Sequence, residues 1–246
     1  MNTFIFTSQK ELFMKKTLTI VTLTAFLALF LVSPATAGST LDRILKKGEL
    51  VVGITGSQPP LNATTKDGKL IGLEPDLARL MAASMGVEVK FVKKPFGKLL
   101  PALESGLVDI IMSSMTMTSK RNLNVAFVGP YYVSGKGILA KYEPIGKLQQ
   151  AEGLNSPEFK VTALKGSTSE AFVKGTAPKA NFIGVATYKE GLDKLINNEV
   201  EAMVADYPYC AVSAFRYQSK GLTAGESRLT FEPIGIAMPE DTLLIN

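Results

Sequence analysis

Histidine is absent from this 246-residue sequence, and cysteine occurs once, as Cys210. Without histidine the commonest general base and metal ligand is missing, and no Cys–His nucleophilic pair can be assembled. A lone cysteine cannot close an internal disulfide, so an oxidising compartment is permitted but not used. Cys210 follows Pro208 among apolar residues and reads as a buried structural thiol. No carboxylates stand clustered at metal-ligand spacing, so no metal, cofactor or catalytic residue is expected, and the chain reads as a non-enzyme. Charge of one sign is also scarce: 27 basic and 22 acidic residues give a formal +5, too weak and dispersed for a nucleic-acid partner.

Long apolar runs are confined to one place. Leu18 to Val32 follows the basic Met14-Lys15-Lys16 and ends in Pro34-Ala35-Thr36-Ala37. A basic start, a short apolar segment and a small-residue Ala35-x-Ala37 exit describe a secretory signal peptide over residues 1–37, cleaved after Ala37. The run is short for a bilayer span, which takes about 20 residues. Met14 is a second candidate start. No cysteine flanks the cleavage site, so no lipid anchor is expected, and the exported form should be free, soluble and monomeric. Removing residues 1–37 takes away three of the 27 basic residues and one of the 22 acidic ones, which leaves 209 residues and a charge of +3.

Over the whole chain 46% of residues are hydrophobic and 20% charged, the make-up of a globular protein. Leu41 to Lys47 reads as a short helix closed by Gly48, and Leu50 to Ile54 as a strand buried on both faces. A polar turn segment runs to Lys69. Helices are expected over Asp76–Met85 and around Leu99–Leu103. Strands are expected over Val87–Phe91 and Val108–Met112. The alternation then restarts with strands at Lys160–Leu164, Phe182–Val185 and Val200–Ala205 and helices at Ser169–Lys174 and Tyr188–Ile196. Leu99 to Met115 and Leu192 to Tyr207 look alike, each an amphipathic helix, a polar stop, an acid and a buried strand. The expectation is an α/β chain of parallel sheets in two similar lobes, one of residues 38–133 plus 233–246 and one of residues 134–232. Ser134–Ala140 and Phe231–Met238 would be the two extended segments crossing between them, a design that hinges about a cleft.

Ligands in open α/β sheets collect at the carboxyl ends of strands, after Ile54, Met112, Leu164 and Ala205. After Met112 comes Ser113-Ser114-Met115-Thr116-Met117-Thr118-Ser119-Lys120-Arg121, a hydroxyl cluster with an arginine on a first helical turn. An arginine fork grips a carboxylate through two charge-assisted hydrogen bonds. An ordinary surface arginine beside an ordinary Thr118 cap is the alternative, and composition alone favours it. Lys165-Gly166-Ser167-Thr168-Ser169-Glu170 is a glycine turn into a hydroxyl-rich helix start, which suits an anion or a plain cap. Asp206, closing the last buried strand, suits either an ammonium partner or a helix cap.

Taken in order, Gly48-Glu49-Leu50-Val51-Val52-Gly53, Gly68-Lys69-Leu70-Ile71-Gly72-Leu73-Glu74, Leu100-Pro101-Ala102-Leu103-Glu104-Ser105-Gly106, the Ser113–Arg121 segment and Gly129-Pro130-Tyr131-Tyr132 resemble the family 3 extracellular solute-binding proteins, the polar amino-acid receptors of bacterial ABC transporters. The resemblance runs from Leu41 to Glu240. It implies a two-lobed periplasmic-binding-protein-like fold that captures an amino acid or similar zwitterion and delivers it to a membrane permease. It casts Arg121 as the grip on the α-carboxylate, with Ser113, Ser114 and Thr116 beside it. Thr168 and Ser167 come from the second lobe, Asp206 holds the α-ammonium, and Phe96 covers the side chain. Where the family carries an acid, an aromatic and Pro-Pro-Phe, this sequence has Thr55, Gln58 and Pro59-Pro60-Leu61, which suits a polar, uncharged side-chain pocket. Pro75 replaces an aliphatic residue and suits a first helical turn. The family continues past Pro239-Glu240 with a helical tail that this sequence is expected to lack. Secreted cyclohexadienyl dehydratases resemble the same family, and an enzyme on this scaffold is the alternative reading.

Overall fold

The computed structural model describes residues 39–141, 154–240 and 244. The expected signal peptide, residues 1–37, lies outside the described residues. Among those residues no helix is long and apolar enough to cross a membrane.

Helix α1 (Thr40–Lys47) starts where the Ser39 hydroxyl accepts from the Asp42 N–H at 3.1 Å, and it ends on Gly48 in the left-handed region. It delivers β1 (Glu49–Ile54), the strand on which the first sheet is built. In chain order follow β2 (Ser57–Gln58), β3 (Asn62–Thr64), β4 (Leu70–Ile71), α2 (Leu73–Ser84), β5 (Glu88–Lys93), α3 (Leu99–Glu104) and β6 (Ile110–Ile111). Strand β1 is paired in parallel with β5 on one side and β6 on the other, and both of its faces are covered, which explains its continuous apolar run. The edge strand β5 alternates exposed and half-buried positions over Glu88–Phe91, matching the alternating sequence there.

The segment expected to be a plain polar turn is a small antiparallel sheet of β2, β3 and β4. Its strands are two or three residues long and carry no apolar run. Helix α2 begins at Leu73, three residues before the expected Asp76, because Pro75 needs no N–H partner in a first turn. Gly72 makes that entry possible: its φ is 119°, and a Cβ there would sit 2.4 Å from the Leu61 carbonyl oxygen.

Strands β7 (Ala126–Ser134) and β8 (Lys136–Lys141) carry the chain from one lobe to the other. The second lobe holds β9 (Lys160–Leu164), α4 (Thr168–Thr176), β10 (Asn181–Val185), α5 (Tyr188–Ile196), β11 (Ala202–Asp206), α6 (Tyr207–Arg216) and β12 (Leu222–Ala224), and β13 (Glu232–Met238) returns to the first sheet. The first sheet runs β5-β1-β6-β13-β7 and the second β10-β9-β11-β8-β12. In each lobe the first strand lies between the second and the third, so the internal likeness read from sequence is a repeated topology. The sheets are mixed rather than parallel. The crossing strands run back antiparallel, β13 against β6 and β7, and β8 against β11. The two crossings also touch: the Lys136 N–H donates to the Thr230 hydroxyl at 3.0 Å and the Leu229 N–H to the Lys136 carbonyl at 2.8 Å.

Candidate functional site

The carboxyl ends of β1, β6, β9 and β11 converge on one region between the lobes. On the first lobe, Ser113 accepts from the Thr55 N–H at 3.0 Å and donates to Gln58 Oε1 at 2.8 Å. The Thr55 hydroxyl reaches that same amide oxygen at 2.8 Å. Asn62 Oδ1 accepts from the Ser57 and Gln58 N–H groups at 3.0 and 3.3 Å, so the β2–β3 turn is what aims Gln58.

Beneath this layer lies Glu74, with 0% of its surface exposed. Its carboxylate accepts from Asn62 Nδ2 at 2.5 Å, the Ser114 N–H at 2.6 Å and the Tyr131 hydroxyl at 2.5 Å. Burial pushes the Glu74 pKa up, against the pull of those three hydrogen bonds. Ser114 sits at φ 49°, a conformation costly for a non-glycine residue, and its N–H is the one tied to Glu74. Glu74 therefore fixes the turn that carries the hydroxyl segment.

Arg121 opens a short 3₁₀ turn whose cap position is Lys120 rather than the expected Thr118, and the Thr118 hydroxyl accepts from the Arg121 N–H at 3.2 Å. The side chain is not a surface one: 9% is exposed. Nη1 donates to the Thr116 carbonyl at 2.7 Å, and Nη2 donates across the lobes to the Gly166 carbonyl at 3.3 Å. The guanidinium lies 5.6 Å from the centre of the buried Phe96 ring, which supports it from below. Burial lowers the Arg121 pKa, while Asp206 and Glu232 act to raise it.

On the second lobe Ser167 is the cap of α4, accepting from the Glu170 N–H at 3.2 Å, and Glu170 returns a bond from the Gly166 N–H at 2.6 Å. Thr168 Oγ1 faces Thr116 Oγ1 at 3.3 Å. Arg121, Lys120, Thr118, Ser167, Thr168 and Lys174 all line a groove of about 570 Å³ at this junction.

Asp206 occupies the cap position of α6 but makes no capping bond with its side chain. Oδ1 instead accepts from Lys136 Nζ at 2.7 Å, and Oδ2 faces the Tyr188 hydroxyl at 3.4 Å. Lys136 is 1% exposed and also approaches Glu232 at 3.6 Å. Tyr188 stacks on Tyr209 with ring centres 4.3 Å apart. Gln58, Leu61, Ser114, Tyr188, Asp206 and Tyr209 surround a cavity of about 10 Å³, roughly enough for one water.

The structure thus brings Thr55, Gln58, Ser113 and Ser114 together on one wall, and Arg121 with Phe96, Thr116 and Thr168 on another. Asp206 lies on the second lobe, and Ser167 is spent as a cap. Glu74, Asn62, Tyr131, Lys136, Tyr188 and Glu232 are bonded to these residues or to each other and were not foreseen. Lys136 carried one usable signal, a charged residue straight after Gly135 in an extended apolar stretch. Cys210 is fully buried, its thiol pushed up to about 12 by that burial. Among the described residues no group of ligating side chains could hold a metal ion.

The model of the bacterial extracellular solute-binding proteins, family 3, matches residues 50–214. A probable histidine-binding protein of Campylobacter jejuni is 32% identical over 198 residues, 78% of this chain and 74% of that protein. The crystal structure of the ancestral amino acid-binding protein AncCDT-1, a precursor of cyclohexadienyl dehydratase, is 36% identical with a TM-score of 0.77, covering 85% of this chain and 89% of that one. The arginine-bound form of truncated ArgBP from T. maritima is 28% identical with a TM-score of 0.75, covering 81% and 92%.

Proposed function

The chain belongs to family 3 of the bacterial extracellular solute-binding proteins, and we propose that it captures an amino acid or similar small zwitterion for an ABC importer, doing no chemistry on it. The observation that carries this reading is the opposition of Arg121 and Asp206. One is a buried, permanently charged fork on the hydroxyl segment after β6, and the other is a carboxylate closing β11 on the facing lobe. A carboxylate and an ammonium on one small molecule match that pair. In the bound form Arg121 exchanges its bond to the Gly166 carbonyl for the ligand carboxylate, with the Thr116 and Thr168 hydroxyls completing the anion site. The ligand ammonium meets Asp206. Its side chain extends over Gln58, Tyr188 and Tyr209, none of them charged, with Ser113, Ser114 and Thr55 behind.

A probable histidine-binding protein and an arginine-bound ArgBP among its relatives support an amino acid as the solute class. Hinging places one lobe at residues 38–133 plus 233–246 and the other at 134–232, with closure read by a membrane permease. The family is extracellular, which fits cleavage after Ala37 and a periplasmic monomer. The test is the melting temperature of the exported protein against a panel of amino acids at millimolar concentration. A ligand at about a thousand times its Kd adds about 4 kcal/mol, a rise of about 8 to 16 °C for a chain of this size. Arg121→Ala abolishes that rise. No shift with any amino acid, from a protein that melts cooperatively, overturns the reading.

A further inference from the structure

Six charged side chains are buried among the described residues: Glu74, Asp109, Arg121, Lys136, Asp206 and Glu232. Two of them are settled within the first lobe. Asp109 pairs with Arg43 at 2.5 Å, and the oxygens of Glu74 take three donors. The other four lie where the two sheets meet, two cations and two carboxylates that balance, and the further charges lining the groove beside Arg121 (Lys120 and Lys174 against Glu104 and Glu170) balance as well. A ligand enclosed among them either carries no net charge or leaves one charge uncompensated away from water, which is strongly disfavoured.

The carboxylate that would receive a ligand ammonium is also the one Lys136 holds, at 2.7 Å. Lys136 and Asp206 are directly opposite in the antiparallel pairing of β8 and β11, so this contact is set by strand register. Glu232 offers the same ammonium a second partner at 3.6 Å, from the first residue of β13 in the other sheet. Glu232 is itself steadied by the Thr230 hydroxyl at 3.0 Å, the hydroxyl that also holds the Lys136 backbone. A flexible four-carbon stem fixed at its base lets Nζ pass from one carboxylate to the other.

We infer that Lys136 is the resident counter-ion of the ammonium subsite, yielding Asp206 to the ammonium of the solute by turning to Glu232, and that the solute selected is a zwitterion with an uncharged side chain. This rests on the reading in which Arg121 takes a carboxylate and Asp206 an ammonium. Two carboxylates shared by one lysine and one incoming ammonium keep the cleft neutral, whereas an arginine-like or glutamate-like side chain unbalances it. The exchange also transfers a bond from within the second sheet to between the sheets, so occupancy tightens the link between the crossing strands.

The full chain, Lys136→Met and the charge-balanced Lys136→Met/Glu232→Gln are titrated with the twenty protein amino acids by thermal shift and calorimetry. Wild type is expected to bind at least one amino acid with an uncharged side chain about tenfold more tightly than any charged one. The double variant, with the competitor and the surplus carboxylate both gone, binds that same amino acid about tenfold more tightly. Lys136→Met alone, left with an extra negative charge, shifts its preference by tenfold or more towards cationic amino acids. A merely structural lysine would weaken all ligands alike. Tightest wild-type binding of a charged amino acid, or loss of binding in a folded double variant, overturns the inference. If Lys136→Met does not fold, the double variant decides. If no amino acid binds wild type, the underlying reading has failed, and chemical rescue still tests the counter-ion. Methylammonium chloride, and not sodium chloride, should then raise the melting point of Lys136→Ala by several degrees without moving wild type. No such rise overturns the inference.

Discussion

Glu74 shows how much of this candidate site depends on a residue sealed from solvent. Its carboxylate anchors the β3 strand through Asn62, the strained Ser114 turn through a backbone N–H, and the β7 crossing through Tyr131. Glu74→Ala leaves three buried donors without an acceptor, at about 1–3 kcal/mol each, so a loss of about 3 kcal/mol or more is expected in denaturant unfolding. Glu74→Gln keeps one acceptor oxygen and loses less. The pH dependence has a definite sign. Because burial raises the folded pKa above the ordinary 4.5, stability from this group is fully present below 4.5 and is lost as pH rises through the folded value. The stability of wild type relative to Glu74→Gln is therefore expected to be greater at about pH 5 than at about pH 8. An unchanged difference between the two proteins would show that the carboxyl group is not perturbed.

At the scale of elements, regular alternation was readable and irregular pairing was not. The strand Lys160–Leu164 and the helix Tyr188–Ile196 lie where apolar runs and helical spacing put them. The β2–β3–β4 sheet was invisible because strands of two or three residues establish no period, and their pairing depends on the turn at Asn62. Sequence also could not tell that Glu74 is sealed while Asp76, on the same first turn of α2, is exposed. The Lys136–Asp206 pair spans 70 positions, and only the β8–β11 register brings it together. Strand ends as a general location for ligands pointed to the segments holding Arg121 and Asp206, and the family resemblance singled the two residues out, whereas Lys136 lies at a strand beginning. The crossing elements carry their own prediction at Gly135, between β7 and β8. A Cβ there would lie 2.2 Å from the Thr230 carbonyl oxygen, and backbone must move to admit it. Gly135→Ala is expected to cost about 2 kcal/mol, a fall of about 4–8 °C in calorimetry. An unchanged melting point would mean that the two crossings do not press on each other.

Across the whole molecule, residues proposed to hold the solute also make polar contacts between the lobes. Thr116 faces Thr168 at 3.3 Å and Arg121 donates to Gly166 at 3.3 Å, while Lys136 links the two sheets towards Glu232 at 3.6 Å. The groups proposed to recognise a solute thus also tie the lobes together. Arg121→Ala, measured by small-angle scattering without added solute, is expected to have a larger radius of gyration than wild type, since one bond across the lobes is gone. An identical scattering curve would assign closure to the strand connections alone.

The stack of Tyr188 on Tyr209 beside Asp206 has an optical consequence. The sequence has no tryptophan and 7 tyrosines, so no indole emission masks the phenols. A ligand that takes Asp206 changes the electrostatic surroundings of the Tyr188 ring, and the stacked partner shares that change. Two of the 7 emitting phenols therefore stand beside Asp206, and a solute that takes Asp206 is expected to change intrinsic ultraviolet emission without an attached dye.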